Sequence, residues 1–407
     1  MPQPRTEGPR PTIPRTIWAL GFVSLFTDMG SEMVHSLLPV LLATGLGASA
    51  LTIGLIEGAA EATVLVTKVF SGWASDALGR RKPLVLLGYG LAAASKPLFP
   101  LAGSVAAVAT ARLVDRFGKG IRGAPRDALV GDITPPEIRG AAFGLRQSMD
   151  TIGAVIGPLL AIALLWLLAD DIRAVLWFAV LPGLVAVLLL VTVVKEPADV
   201  KRQARRLPIT REGLSRLGRP FWRLAALGGV ISLARFSEAF LVLRASERGL
   251  PLTWVPLVLV VMSVVYAGSA YPAGWLSDRM PRQRLLAAGM AVLVLADVAL
   301  AMATGMGLLF AGIALWGLHM GMTQGILASL VADRVPASYR ATAFGMFNLV
   351  SGFALLLASG VAGTLWDAWS PAATFWAGAA VSAVAALLSL PTRGHSPSVE
   401  PRDNASP

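Results

Sequence analysis

Apolar segments of membrane-spanning length recur along the whole chain. Examples are "PLVLLGYGLAAASKPLFPLAG" at 83–103, "VLWFAVLPGLVAVLLLVTVV" at 175–194 and "LLAAGMAVLVLADVALAMATG" at 285–305. Each is close to the roughly 20 residues that an α-helix needs to cross a bilayer, and about twelve such segments can be counted. Because 55% of the residues are hydrophobic and only 14% are charged, the composition is that of a membrane protein. We therefore expect an all-α protein whose main partner is the lipid bilayer.

Lys and Arg residues lie in every second connection between these segments. They cluster before residue 16, at 80–82, at 195–219, at 279–284 and at 334–340, whereas "ATGLGASA" (43–50) and "ATGMGLLF" (303–310) contain none. Basic connections stay in the cytoplasm, so both termini are predicted to be cytoplasmic and the number of spans even. The net charge of +11 is then explained by topology and contact with anionic lipid, and no nucleic-acid partner is expected. The predicted location is the cytoplasmic (inner) membrane, as a multi-pass protein.

Two stretches of the first half of the chain return in the second half. "GWASDALGRRK" at 72–82 resembles "GWLSDRMPRQR" at 274–284, and "LVGDITPPEIRGAAFG" at 129–144 resembles "LVADRVPASYRATAFG" at 330–345. Such a repeat predicts two pseudo-symmetric six-helix bundles. We place these bundles at 17–194 and 221–391, joined by a basic cytoplasmic linker at 195–220, with cytoplasmic tails at 1–16 and 392–407.

Three motifs in chain order resemble the major facilitator superfamily, whose fold has twelve transmembrane helices in two halves. The signature G-x-L-A-D-R-x-G-R-R/K-R/K between helices 2 and 3 is matched by Gly72, Asp76, Gly79, Arg80, Arg81 and Lys82, with Ala77 in place of the usual base. Arg112 matches the arginine of the R-x-x-x-G core of helix 4, although Arg116 replaces the glycine. "GAVIGP", with Gly153, Gly157 and Pro158, is similar to the antiporter motif of helix 5. The resemblance thus favours proton-coupled exporters.

The resemblance also implies a conformational latch. Asp76 would face the start of helix 11 near Arg340, and its counterpart Asp278 would face the start of helix 5 near Arg139. Unpaired backbone N–H groups at a helix start favour an anion, so these contacts can hold one state of alternating access. The simpler alternative is a tight turn with cytoplasmic charges. Gly153 and Gly157 likewise have an alternative role as small residues that let helices pack closely.

Asp28, Glu32 and His35 form a titratable stripe on the first predicted helix. Their spacings of four and three residues place them on one helix face. Charged groups near the bilayer centre cost roughly 2.5–3.5 kcal/mol each on insertion scales, so a partner or a polar path is expected. At about 1.5 Å per residue, Arg112 and Arg116 of helix 4 lie at the same depth and are the predicted partners. We assign proton coupling to Glu32 and Asp28, with Glu32 as the carrier.

Other polar residues extend the predicted substrate path, because helices 1, 4, 7 and 10 line the central cavity of the resembled fold. The full set is His35, Glu57, Glu61, Arg112, Arg116, Arg235, Glu238, His319 and Gln324. A structural network of neutralising charges is the alternative to a translocation path. For His319 alone, a hydrogen-bonded interior position is favoured over a ligand role.

These patterns predict a secondary transporter, with no cofactor, no catalytic residues and a monomeric state. The expected function is proton-coupled export of a small solute by alternating access. Two substrate classes stay open, namely organic cations or drug-like molecules, and divalent metals or their chelates, and the metal ligands are unknown. The alternatives are a proton-coupled importer and a membrane binding or assembly protein that keeps the fold without transport.

Overall fold

The structure, a computed structural model, describes residues 12–195, 211–277, 279–335 and 339–390. Long helices make up most of this part of the chain. Their bounds are α1 (Arg15–Val40), α2 (Ala50–Leu78), α3 (Lys82–Leu101), α4 (Val105–Ile133), α5 (Arg139–Leu167), α6 (Ile172–Thr192), α7 (Gly218–Glu247), α8 (Leu257–Ser277), α9 (Arg282–Met302), α10 (Met306–Asp333), α11 (Arg340–Ala368) and α12 (Pro371–Ser389). The all-α membrane fold is confirmed.

Ten of these helices are long and apolar enough to cross a membrane. The other two, α1 and α4, have 26 and 29 residues, which is also enough to span a bilayer. They are less apolar because they carry Asp28, Glu32 and the arginines from Arg112 onward. Charge is densest on α4, whose acidic and basic residues run from Arg112 to Asp132, which matches a bundle whose interior is polar rather than one whose helices all face lipid.

The helices form two halves with matching packing. In the first half α1 packs on α5, while α4 packs on α2 and α3. The second half repeats this order, since α7 packs on α11, while α10 packs on α8 and α9. The halves meet along α2 with α11, along α5 with α8, and where the outer part of α1 contacts Ala239–Glu247 of α7. The internal repeat of the sequence is thus also a repeat of structure.

Helix α7 is interrupted in the middle of the bundle. It consists of Gly218–Ala234 and Ala239–Glu247, and the four residues between them are not helical. Broken helices at membrane depth are tolerated where the free backbone groups line a cavity or are buried in protein. Within the interruption the Ser237 N–H donates to the Ser359 hydroxyl at 3.1 Å, and the partly exposed Arg235 and Glu238 lie on either side of this buried contact.

The connection between the two bundles is only partly described. A short helix, Arg211–Arg216, precedes α7, which begins at Gly218, slightly before the predicted bundle start at 221. The predicted tail 392–407 and most of the linker, 196–210, lie outside the described residues. At the end of α2, Gly79 adopts φ 64° and its N–H bonds to the Ser75 carbonyl at 3.1 Å. A left-handed residue there ends the helix, and glycine adopts this conformation without strain.

Candidate functional site

Four side chains from three helices form a continuous polar chain in the first half. His35 Nδ1 lies 3.1 Å from Glu32 Oε2, and His35 Nε2 lies 3.8 Å from Glu57 Oε2. Arg112 Nη2 donates to the same Glu57 oxygen at 2.6 Å. The Arg112 and Glu57 side chains are 0% and 1% exposed, whereas Glu32 is 19% exposed. We call these four residues the relay, since they connect a partly exposed acid to a buried ion pair through one imidazole.

The predicted pairing of the α1 acids with Arg112 and Arg116 is wrong. Asp28 Oδ1 lies 3.4 Å from Arg122 Nη2, and Glu32 contacts His35. The reason is packing. Helix α4 lies directly against α2, so the α2 acids reach its deeper arginines first, and the arginines of α4 that bond to α1 side chains, Arg122 and Arg126, lie nearer its basic end.

A second buried cluster lies beside the relay. Arg116 Nη1 is 3.5 Å from Glu61 Oε1, and its Nε is 3.5 Å from Asp115 Oδ2. Lys96 donates to Asp115 at 2.8 Å and to Ser31 at 2.9 Å. Each buried cation therefore has an acidic partner, as a low-dielectric interior requires. Sequence reasoning missed Lys96, although a lysine inside the apolar segment 83–103 was a visible signal.

A third group of polar side chains extends the cluster toward the basic end of the bundle. Arg126 donates to Ser24 at 3.1 Å and to Tyr89 at 3.4 Å, and it lies 3.8 Å from Asp150. Arg146 pairs with the same carboxylate at 2.5 Å. Titratable groups thus continue from the middle of the membrane toward one end. The tyrosine was absent from the sequence-based site because a single phenol in an apolar segment is ordinary.

The glycines of the helix-5 motif let α5 pack closely against α1. A methyl group on Gly153 would overlap the Leu25 carbonyl, and one on Gly157 would overlap the Met29 carbonyl. Pro158 is buried within α5 directly after this contact. Asp28 lies between the two contact points, so the close approach fixes the backbone that carries it. The structure therefore gives these glycines the packing role, while a role in export stays a prediction.

The second half contributes a smaller polar group at the α7 interruption. Arg235 and Glu238 are both partly exposed there. Tyr266 of α8 donates to Gln324 of α10 at 3.0 Å. His319 is fully buried, its Nδ1 lies 2.8 Å from the carbonyl of Gly289 on α9, and its Nε2 has no hydrogen-bond partner in the described part of the chain. The interior, hydrogen-bonded role favoured for this histidine agrees with that geometry.

Glu238 connects the two halves electrostatically. Its charged neighbours are Arg235 in its own half and Glu32, His35 and Glu61 across the interface. Carboxylates of both halves therefore converge on one space.

The described residues do not form a metal-binding site. No three acidic, histidine or cysteine side chains there are arranged to hold a metal ion. Asp28 turns to Arg122, and His35 is placed between Glu32 and Glu57, so the α1 stripe does not converge on one point.

The turn after α2 contains the most specific sequence motif. Asp76 pairs with Arg81, which also lies 3.3 Å from Asp132 at the end of α4. Partial burial works against the charged guanidinium, but the hydrogen bonds to Asp76 and Asp132 raise the pKa of Arg81 above its ordinary value. Gly72 packs toward Ala124 of α4, where an added methyl group would come within 3.2 Å. The motif thus ties α2 to α4 at the basic end.

The predicted latch partners lie at helix starts. Arg139 is the first residue of α5 and Arg340 the first of α11. Arg80 is exposed on the turn. Asp278 lies outside the described residues, and the contacts of Asp76 and Asp278 with these helix starts stay predictions.

One fully buried acid was missed by the sequence reasoning. Asp297 of α9 is 0% exposed, its Oδ2 accepts a hydrogen bond from Ser382 of α12 at 3.4 Å, and its Oδ1 has no partner in the described part of the chain. Gly378 lies against this carboxylate, where an added methyl group would come within 2.9 Å. The segment 285–305 was apolar enough for this single acid to escape notice.

Comparison with known proteins gives one consistent family. The sequence model of the Major Facilitator Superfamily matches residues 20–353 and 239–406. An uncharacterized MFS-type transporter of Methanocaldococcus jannaschii is 31% identical over 92% of this chain and 94% of its own length. Multidrug resistance protein MdtH of Cronobacter sakazakii is 27% identical over 85% of each chain. A bacterial homolog of the human lysosomal transporter Spinster, solved in an inward-facing and occupied conformation, has a TM-score of 0.75 at 15% identity, over 94% of this chain and 97% of its own.

Proposed function

The chain belongs to the Major Facilitator Superfamily of membrane transporters, and from that premise we propose that it exports small organic cations in exchange for protons by alternating access. The proposal places both termini in the cytoplasm and the chain in the cytoplasmic membrane as a monomer. The observation that carries it is the relay, in which one imidazole lies between two carboxylates at the centre of the bundle.

The relay has the parts that proton exchange requires. His35 can take up a proton at one ring nitrogen and release it at the other, because each nitrogen faces a carboxylate. Glu57 is held by Arg112 at 2.6 Å and is fully buried, so it serves as a fixed negative charge. Glu32 is the partly exposed end and is the group that can lose its proton when a cation arrives. The proton and the substrate then compete for one carboxylate, which couples their movements.

The distribution of charge supports a cationic substrate. Glu32 is 19% exposed and Glu61 is 36% exposed, while the side chains of Arg112 and Arg116 are at most 2% exposed. Carboxylates thus face the space between the halves with Arg112 and Arg116 behind them, and the partly exposed cations beside them are Lys119 and Arg235. An organic cation entering that space meets negative charge first. Glu238 adds a carboxylate from the second half.

Export of organic molecules also agrees with the comparison. The relative MdtH is named a multidrug resistance protein, and "GAVIGP" is similar to a motif of antiporters. The lack of a convergent set of metal donors among the described residues favours organic cations over divalent metals.

Transport of ethidium by everted membrane vesicles tests this function. Vesicles from cells that overproduce the chain should take up ethidium when respiration acidifies their interior, and nigericin, which dissipates the pH gradient, should abolish the uptake. Vesicles without the protein are the control. Tetraphenylphosphonium and benzalkonium extend the test to other cations, and zinc and cobalt salts test the metal alternative. Gradient-dependent movement of metal alone, or of no cation at all, would contradict the proposal.

A further inference from the structure

A carboxylate of the second half caps a helix of the first half at the end opposite the basic connections. Asp367, in the last turn of α11, accepts the Ala50 N–H at 3.1 Å and the Leu51 N–H at 2.9 Å. These amides belong to the first turn of α2, where backbone N–H groups lack partners within the helix and attract negative charge. An acid at the C-terminal end of α11 is unfavourable for its own helix. The favourable interaction of Asp367 is therefore with the start of α2 and not with its own helix.

A second contact occupies the equivalent place in the repeat. Thr253, in the turn that leads into α8, donates its hydroxyl to Asp170 Oδ1 at 2.7 Å. Asp170 follows α5 in a left-handed conformation, φ 63°, which aspartate adopts more readily than most residues. Helices 5 and 11 correspond in the two halves, as do helices 2 and 8. Each contact thus joins the end of the fifth helix of one half to the start of the second helix of the other.

The backbones of α2 and α11 are closest at this same end. A methyl group on Gly363 would overlap Leu51, and one on Gly54 would overlap the Ser359 carbonyl. Further toward the basic end, a methyl group on Gly352 would make an ordinary contact of 3.4 Å with Ala62. The two helices therefore diverge from the capped end inward.

We propose that Asp367 and Asp170, with the groups they bind, form an outer clasp that holds the external side of the transporter closed. The inference rests on the proposed alternating access and on the orientation that places the basic connections in the cytoplasm. The clasp bonds join different halves, so the external side cannot open until they break. They stabilise the conformation seen here and oppose the outward-open one. Removing a clasp carboxylate shifts the equilibrium toward the outward-open conformation by roughly 2- to 30-fold, the range measured for loss of a helix cap.

Site-directed labelling can measure that shift, because the chain contains no cysteine. Ser359 is fully buried in the α2–α11 contact, where its Cβ lies close to Gly58. In a Ser359→Cys background, a membrane-impermeant maleimide should label slowly when the external side is closed and faster when it opens. Labelling is measured on right-side-out and on everted vesicles, so that a wrong orientation is recognised separately.

The chain provides a matched control for this experiment. Asp171 caps the start of α6 through the Ala174 N–H at 3.0 Å, which is the same kind of bond at the same end but within one half. Asp367→Ala should raise the labelling rate roughly 2- to 30-fold, whereas Asp171→Ala should leave it unchanged. Thr253→Val removes the second contact with little change in volume and should also raise the rate. Gel filtration of each variant identifies any that fail to fold.

The outcomes separate the clasp from the transport function. Equal labelling in Asp367→Ala, Thr253→Val and the unmodified background would overturn the clasp, as would an equal increase in Asp171→Ala. A raised rate in the two clasp variants supports the clasp even if ethidium export is absent. If the native chain exports ethidium but labelling in the clasp variants is unchanged, the proposed transport function is supported and the clasp is refuted.

Discussion

The buried ion pair between Glu57 and Arg112 gives the sharpest quantitative prediction. Both side chains are at most 1% exposed and are joined by a 2.6 Å hydrogen bond. Changing Glu57→Gln leaves the guanidinium buried without its counter-charge, which costs about 3–5 kcal/mol in comparable sites. The matched control is Glu61→Gln, four residues along the same helix, where the acid is 36% exposed and lies 3.5 Å from its arginine. Because Arg116 keeps its contact with Asp115 at 3.5 Å, losing this partly exposed partner should cost only about 0–1 kcal/mol.

Thermal unfolding in detergent, followed by tryptophan fluorescence, measures the difference. A loss of 3–5 kcal/mol corresponds to a fall in Tm of roughly 6–20 °C at about 2–4 °C per kcal/mol, the scale for a domain of 150–250 residues. Glu61→Gln should lower Tm by no more than about 4 °C on the same scale. The double variant Glu57→Gln with Arg112→Met removes both charges and should recover most of the loss. Similar Tm values for Glu57→Gln and Glu61→Gln, or a double variant as unstable as the single one, would refute the reasoning.

Four further predictions address packing, topology, the latch and the substrate. Gly157→Ala should destabilise the fold by about 1–3 kcal/mol, because the added methyl group overlaps an α1 carbonyl. Gly144→Ala is the control, since its methyl group enters open space, and Tm measures both variants. A cysteine placed at position 205 should resist an impermeant reagent applied to intact cells, and labelling there would overturn the predicted orientation. Asp76→Asn should slow ethidium transport without reducing the amount of inserted protein, and normal kinetics would count against the latch. Asp28→Asn should raise the KM for ethidium more than it lowers the maximal rate, and an unchanged KM would show that Asp28 makes no contribution to substrate affinity.

The sequence predicted the fold well because the governing signals are local. Segment length, the alternation of basic connections and the repeated "GW-x-SD" motif each depend on residues close in the chain. The residues of the relay could be named from the sequence because a charge within an apolar segment is visible without a structure, and their role in transport stays a prediction. The interruption of α7 was not predicted, because "SLARFSEAF" contains neither glycine nor proline.

The partners of the charged residues were harder to predict. Depth along a helix is calculable from the rise per residue, but the rotation of each helix and the identity of its neighbour depend on packing. Arg112 was assigned to the α1 acids by depth, whereas α2 lies directly against α4 and Glu57 reaches the arginine first. The capping of α2 by Asp367 could not be predicted from the sequence either, since it joins residues more than 300 positions apart.

The most direct test of proton-coupled export is a comparison of native and Glu32→Gln protein in proteoliposomes. Proteoliposomes containing each protein are loaded with acidic buffer, diluted into neutral buffer that contains ethidium, and sampled by rapid filtration. Ethidium exchange is measured in a separate experiment without a pH gradient. The native chain should accumulate ethidium above the external concentration, while Glu32→Gln should exchange ethidium yet fail to accumulate it, because the glutamine cannot carry the proton. Accumulation by Glu32→Gln equal to that of the native chain would contradict the relay as the site of proton coupling.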